Sequence, residues 1–390
     1  MKGAILKCRL IVEAFDFGPA ISSIVFSFPA PLNDSGLMRD TFTIIIKKKN
    51  TPYLVEIASV SINNDELLLK LICHPDNYHL SPLTYDYLTH HDRFAEKIDL
   101  LVHTNKPFVL GDFVYEDTVE ILESILEMPD LDGFSYDKYR HNSKISLAYG
   151  LFSPSDLTSK RPLVIWLHGA KEGGDDPRVA ILGNPISYLK RDEIQNRFGG
   201  FFLLIPQAGT MWMDEGNGHY TDSGRSLYSK PLIGLINSIL DNYPAIDRER
   251  VYIGGCSNGG FMAIRLIADH PELFAAAFPT SEACFDRWLT DKDIQNIKTV
   301  PTWFFACSAD TVVSSDLCTV MTFERLVQAG ASDVHLSLVD EIRDRHGAFF
   351  ESDGTPYLYD GHWAWLEPLN DAKDSDGRSF FDWLFSHTKH

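Results

Sequence analysis

Long apolar runs are missing from this 390-residue chain. No stretch approaches the ~20 consecutive apolar residues of a membrane-spanning helix. Met1-Lys2-Gly3-Ala4-Ile5-Leu6-Lys7 starts like an export signal, but Arg9, Glu13 and Asp16 interrupt any apolar core. On this reading the chain is expected to be cytoplasmic. A basic surplus is missing too. The formal net charge of −19 argues against nucleic acid and anionic membrane surfaces as partners. The cysteines (Cys8, Cys73, Cys256, Cys284, Cys307 and Cys318) are scattered and lack metal-ligand spacing. Buried free thiols are therefore expected, with no metal and no cofactor. Asp374-Ser375-Asp376-Gly377 fails the calcium-loop pattern, because Ala372 and Trp383 fall at its first and last ligand positions. Internal repeats and low-complexity tracts are also missing.

What remains is a globular composition, 44% hydrophobic and 23% charged, in a chain long enough for two domains. Up to about residue 115 it alternates in the strand manner, as in Leu6 to Val12, Thr41 to Ile46, Glu66 to Leu71 and Lys97 to Val102. Turn-type segments separate these runs, such as Pro31 to Gly36 and Asn63-Asn64-Asp65. Short strands with turns between them predict a β-sandwich. Val119 to Glu127 reads equally as a helix or a linker. Asp130-Leu131-Asp132-Gly133 is the expected boundary, giving domains 1–130 and 131–390. Beyond it, the apolar runs Pro162–Leu167, Phe201–Ile205, Val251–Gly254, Phe274–Phe278 and Thr302–Ala306 alternate with helical patterns, notably Leu227–Asp241 and Val320–Gln328. That alternation predicts a mostly parallel, doubly wound sheet.

The segment Val251 to Gly260 contains Gly255-Cys256-Ser257-Asn258-Gly259 between a predicted strand and a predicted helix. A G-x-S-x-G turn in that setting places a serine on a sharp, strained elbow. Small residues two positions either side relieve crowding there. The Asn258 N–H and the helix dipole are placed to stabilise an oxyanion. Serine needs a base, and the base needs an orienting acid. Asp310, three residues past the run ending at Cys307, is the expected acid. Asp316 is the alternative, though it reads better as a helix N-cap. Of the later histidines, His335 sits in a strand-like stretch and reads as structural. His362, between a flexible Gly361 and the aromatic Trp363 and Trp365, is preferred over His346 as the base. The second oxyanion donor is expected at the Ala170 N–H, in the loop Leu167-His168-Gly169-Ala170. His168 itself reads as a structural hydrogen-bonder, and His90-His91-Asp92 as a solvated loop.

With these residues assembled, the second half resembles the α/β-hydrolase superfamily. More narrowly it is similar to polyhydroxybutyrate-depolymerase-like esterases with an N-terminal immunoglobulin-like domain. The matching stretches are Pro162–Gly169, Ile205-Pro206-Gln207 with Trp212, Ile246–Gly255, Pro271–Ala277, Pro301–Phe305, Asp310–Val313, and His362 with Trp365. Phe15–Ala20 and Asp40–Ile44 resemble the immunoglobulin-like domain. The resemblance implies catalytic Ser257, Asp310 and His362, oxyanion donors Ala170 and Asn258, and a substrate pocket bordered by Trp212. Departures are Asn258, where the family often has methionine, and Ala306-Cys307-Ser308, where it often has H-G. Some feruloyl esterases and tannases bridge a cysteine beside the serine to one beside the histidine. Gly361 and Trp363 flank His362, so that bridge is absent.

The expectation is a serine carboxylesterase for small or medium esters, with a small-molecule ester as its partner. The β-domain is a candidate site of homo-oligomer contacts or a shaper of the pocket entrance. A prolyl-oligopeptidase-type peptidase is the first alternative, although roughly 115 residues of β-structure are too few for a propeller. A non-catalytic binding protein on a hydrolase fold is the second.

Overall fold

In a computed structural model, residues 3–32, 37–110 and 112–389 are described. The expected turn through Asn33-Asp34-Ser35-Gly36 lies outside them. The chain divides into two units. The first comprises Met1–Thr84 and Phe94–Asp132; the second comprises Tyr85–Arg93 and Gly133–His390.

The first unit is all-β. One five-stranded sheet runs in the order Ala4–Ile5, Phe113–Ile121, Asp99–Leu110, Phe42–Lys48, Thr51–Val55. The other runs Ser124–Glu127, Lys7–Phe15, Gly18–Ser27, Glu66–Leu71, Ile57–Asn63. The period of two in the sequence becomes burial: Cys8, Leu10, Val12 and Ala14 point inward along Lys7–Phe15, with less buried residues between them. Val119 to Glu127, undecided between helix and linker, is neither. It ends one strand and forms another, with Val119 buried in the apolar interior of the unit and Ile121 and Leu126 packed against it.

The second unit is built on an eight-stranded sheet. Its strands are β1 (Phe134–Arg140), β2 (Ser146–Phe152), β3 (Arg161–Leu167), β4 (Phe202–Gln207), β5 (Ile246–Cys256), β6 (Ala276–Thr280), β7 (Thr302–Cys307) and β8 (Val334–Val339). Their spatial order is β1-β2-β4-β3-β5-β6-β7-β8. Pairing is parallel from β4 through β8, and β1 and β2 add antiparallel. The polar, mostly exposed β1 gave no apolar signal in the sequence and is an addition to the expected set. Strands β3, β4, β6 and β7 are buried along almost their whole length, as their continuous apolar sequences require.

Three helices matter for the site. Helix α1 (Ser229–Asn242) buries Leu232, Leu235, Ile236 and Ile239 at helical spacing. Helix α2 (Asn258–Asp269) is buried on nearly all sides, Arg265 being less covered. Helix α3 (Met321–Gln328) follows a short π-helical turn over Asp316–Val320. The position before that turn is Ser315, not Asp316, so the cap expected of Asp316 does not form. Among the described residues, no helix is long and apolar enough to cross a membrane. All six cysteines are free thiols, five of them buried and Cys73 half-buried.

Candidate active site

Ser257 joins β5 to α2 with φ 54 and ψ −112, a conformation that L-residues adopt only under strain. Backbone contacts hold it there. Its N–H donates to Thr280 O at 2.9 Å, and its carbonyl accepts from Phe261 N at 3.0 Å and Ala283 N at 3.2 Å. The two glycines of the motif are required by close approach. A Cβ on Gly259 would lie 2.0 Å from Leu167 O, and one on Gly255 would lie 2.7 Å from the same oxygen. The elbow is therefore pressed against the end of β3, where the predicted oxyanion loop begins.

Asp310 lies just beyond β7, as expected for a strand-end carboxylate. Its Oδ1 accepts the Val312 and Val313 N–H groups at 2.8 and 2.9 Å. Its Oδ2 is 2.8 Å from His362 Nδ1. The two side chains are well covered, 2% exposed for Asp310 and 12% for His362. His362 sits in a 3-10 turn, Gly361–Trp363, whose start is capped by Asp360 Oδ1 accepting the His362 N–H at 2.8 Å. Trp365 meets the imidazole edge to face at 5.7 Å. Gly361 is not there for flexibility: a Cβ would lie 2.7 Å from the Ala309 carbonyl carbon and oxygen. It lets the histidine turn lie directly on the Asp310 loop.

The rival histidines are engaged elsewhere. His335, on β8, has Nε2 2.9 Å from Asp333 Oδ1. His346 Nε2 is 2.8 Å from Asn370 Oδ1.

Gly169 leads into a 3-10 turn over Ala170–Glu172. His168 braces it from behind and is fully buried. The Ala208 N–H donates to its Nε2 at 3.0 Å, so the ring proton is on Nδ1, which donates to Gly169 O at 2.6 Å. Burial pushes this histidine down to about 4, so it is neutral at physiological pH. Asn258 begins α2 and is 1% exposed; neither polar atom of its side chain has a partner among the described residues. The expectation for Trp212 is revised. Its ring is 0% exposed, 5.0 Å from His168 and 5.9 Å from Tyr228, inside the core. In this state it backs His168 and offers no open face to a pocket.

Two features gave no usable sequence signal. Asn184 Oδ1 accepts the Cys256 thiol at 3.2 Å and the Trp166 indole N–H at 3.4 Å, so the thiol beside Ser257 is committed as a donor. Burial raises that thiol well above its ordinary range. In the His90-His91-Asp92 run, His90 is exposed as expected, but His91 is not solvated. His91 is 8% exposed and engages the Thr210 carbonyl, passing over Gly173, where a Cβ would lie 2.7 Å from its Nε2. The His90-His91-Asp92 run could not reveal that contact, because its partners lie over 80 residues downstream.

The strand order and the strained serine elbow after β5 define an α/β-hydrolase fold. Comparison with known proteins agrees. A model of the Prolyl oligopeptidase family matches residues 207–311. A thermostable esterase of known crystal structure superposes with a TM-score of 0.75 at 23% identity, covering 98% of this chain and 99% of that one. Probable acetylxylan esterase A of Neosartorya fischeri is 25% identical over 171 residues, 42% of this chain and 41% of that protein. The Aspergillus fumigatus protein of the same name matches to the same extent. The chain thus spans about two-fifths of the length of these curated relatives.

Proposed function

We propose that this chain is a serine carboxylesterase acting on small or medium carboxylic esters. The observation that carries the reading is the Asp310–His362 contact at 2.8 Å, made by loops from separate parts of a fold whose nucleophile position is occupied by a strained Ser257. In this mechanism His362 Nε2 takes the Ser257 hydroxyl proton as Oγ attacks the ester carbonyl. Asp310 holds the imidazole tautomer and stabilises the imidazolium that forms. The Ala170 and Asn258 N–H groups receive the oxyanion, the latter aided by the positive end of α2. The imidazolium then protonates the departing alcohol. Water, activated by the same imidazole, releases the acid and regenerates Ser257.

The names of the curated relatives make acetyl esters, including acetylated xylan, the first substrates to try. The test is hydrolysis of p-nitrophenyl acetate and longer acyl esters, with hydroxycinnamate esters alongside. Wild-type turnover that disappears in Ser257→Ala supports the reading, and turnover retained by that variant overturns it.

The family match over residues 207–311 favours a second reading, a peptidase of the prolyl-oligopeptidase type. Against it, the first unit is a pair of five-stranded sheets rather than a ring of blades. Amide turnover at rates comparable to ester turnover would favour the peptidase.

A further inference from the structure

Glu172 has no part in the mechanism above, yet its Oε2 is shielded from solvent and has no hydrogen-bond partner among the described residues. It ends the turn whose first residue is Ala170, and its side chain folds back beneath that turn. A Cβ on Gly169 would lie 2.8 Å from Glu172 Oε2 and 3.6 Å from Cys256 Sγ. A Cβ on Gly183 would lie 2.8 Å from Glu172 Cγ. Two glycines therefore leave the space that this carboxyl fills. Gly169 immediately precedes Ala170, and Cys256 immediately precedes Ser257. The carboxyl thus lies behind both the oxyanion turn and the nucleophile elbow.

We infer that Glu172 is a positioning residue that props the Gly169–Ala170 peptide from behind, and that hydrolysis runs on its neutral form. The inference rests on the esterase reading. A carboxylate at this place would set a negative charge beside the oxygen that becomes negative in the transition state. Ala170 and Asn258 would then be working against it, in a site where little water screens the repulsion. A neutral carboxyl fills the same volume without that penalty.

The surroundings favour the neutral form at moderate pH. Burial is the largest influence on Glu172, and Asp92 from the Tyr85–Arg93 segment adds like-charge repulsion. Lys171 on the same turn and the N–H groups of Gly169 and Glu172 oppose them. The Cys256 thiol, Tyr220 and, past Gly173, His91 also face this region, all three in neutral forms at pH 7. The balance pushes the Glu172 carboxyl up to about 7. Near neutrality both forms are present, and pH selects between them.

The test is kcat for p-nitrophenyl acetate between about pH 5 and about pH 9 in wild type and Glu172→Gln. Relative to Glu172→Gln, which shares the pH dependence of the His362 base, wild-type kcat should fall about five- to tenfold as pH rises through the neutral range. Glu172→Gln should keep the rate of the neutral form and lose the fall, with KM unchanged. A ratio of wild-type to Glu172→Gln kcat that stays constant across this range overturns the inference. The fluorophosphonate labelling rate of wild-type Ser257 should show the same fall, which covers the case of a misfolded variant. If wild type neither hydrolyses esters nor takes the label, the esterase reading fails and this inference falls with it.

Discussion

His362 Nδ1 and Asp310 Oδ2 lie 2.8 Å apart, although 52 residues separate them in the chain. The carboxylate divides its work. One oxygen accepts two backbone N–H groups of its own loop, and the other faces the imidazole. The loop bonds fix the direction of the second oxygen before any substrate arrives, so the imidazole keeps its proton on Nδ1 and presents a bare Nε2.

Asp310→Asn should therefore leave the fold intact and change the tautomer. An amide placed with its NH2 toward His362 forces Nδ1 to accept, which leaves the proton on Nε2 where a base is needed. The expected loss in kcat is about 10³- to 10⁴-fold, with KM little changed. Steady-state kinetics, with thermal unfolding as the check on folding, would measure it. A loss below tenfold would mean that another acid orients His362.

Ser257 stores strain that stability measurements should detect. Its φ of 54 with ψ −112 suits glycine far better than any residue with a Cβ. Ser257→Ala keeps the Cβ and removes the proposed nucleophile; Ser257→Gly removes both. Both variants should lose ester turnover. Ser257→Gly should exceed Ser257→Ala in stability by about 1 kcal/mol, after the entropy glycine loses on folding offsets part of the relief. Urea unfolding of the pair reads this difference. Equal stabilities would mean that the elbow is relaxed.

The glycine at the other end of the motif acts by contact. A Cβ on Gly259 falls 2.0 Å from Leu167 O and 2.4 Å from Leu167 C, both backbone atoms at the centre of the sheet. Neither can move without disturbing β3. Gly259→Ala should cost ~3 kcal/mol or more and give an inactive, poorly folded protein. A soluble variant with wild-type melting temperature would contradict the packing of α2 on β3.

Much of this site was legible in the sequence because its determinants are local. The G-x-S-x-G elbow, the strand-end position of Asp310 and the turn around His362 each depend on neighbouring residues, and the order of secondary structure does the rest. The misses are non-local. Glu172 reads as one more charged residue in Lys171-Glu172-Gly173-Gly174 until Gly169, Gly183 and Cys256 close around it. His91 looked solvated because its cover comes from Thr210. Trp212 is apolar and near the right motif, yet whether an indole lines a pocket or backs a histidine depends on packing that pattern alone does not describe. Strand β1 escaped notice because one polar, exposed edge strand needs no apolar alternation.

The last prediction concerns the C-terminal helix, Phe380–Phe385. Asp333 accepts from Trp383 Nε1 on that helix at 3.0 Å, bonds His335 Nε2 at 2.9 Å, and lies 3.6 Å from His387 Nε2. The His335 bond leads in holding its carboxyl down to about 2, with Trp383 assisting against the cost of burial. A carboxylate depressed in the folded state stabilises the fold above its unfolded pKa, near 3.8. That contribution is lost as pH falls from there toward about 2. Its size at neutral pH is at most about 2 kcal/mol, since the group is partly exposed. Asp333→Asn should therefore be less stable than wild type at neutral pH. The gap should close as both proteins are acidified below the unfolded pKa. Urea unfolding at neutral pH and in acid measures both gaps, and a difference that stays constant between them would show that Asp333 acts through shape rather than charge.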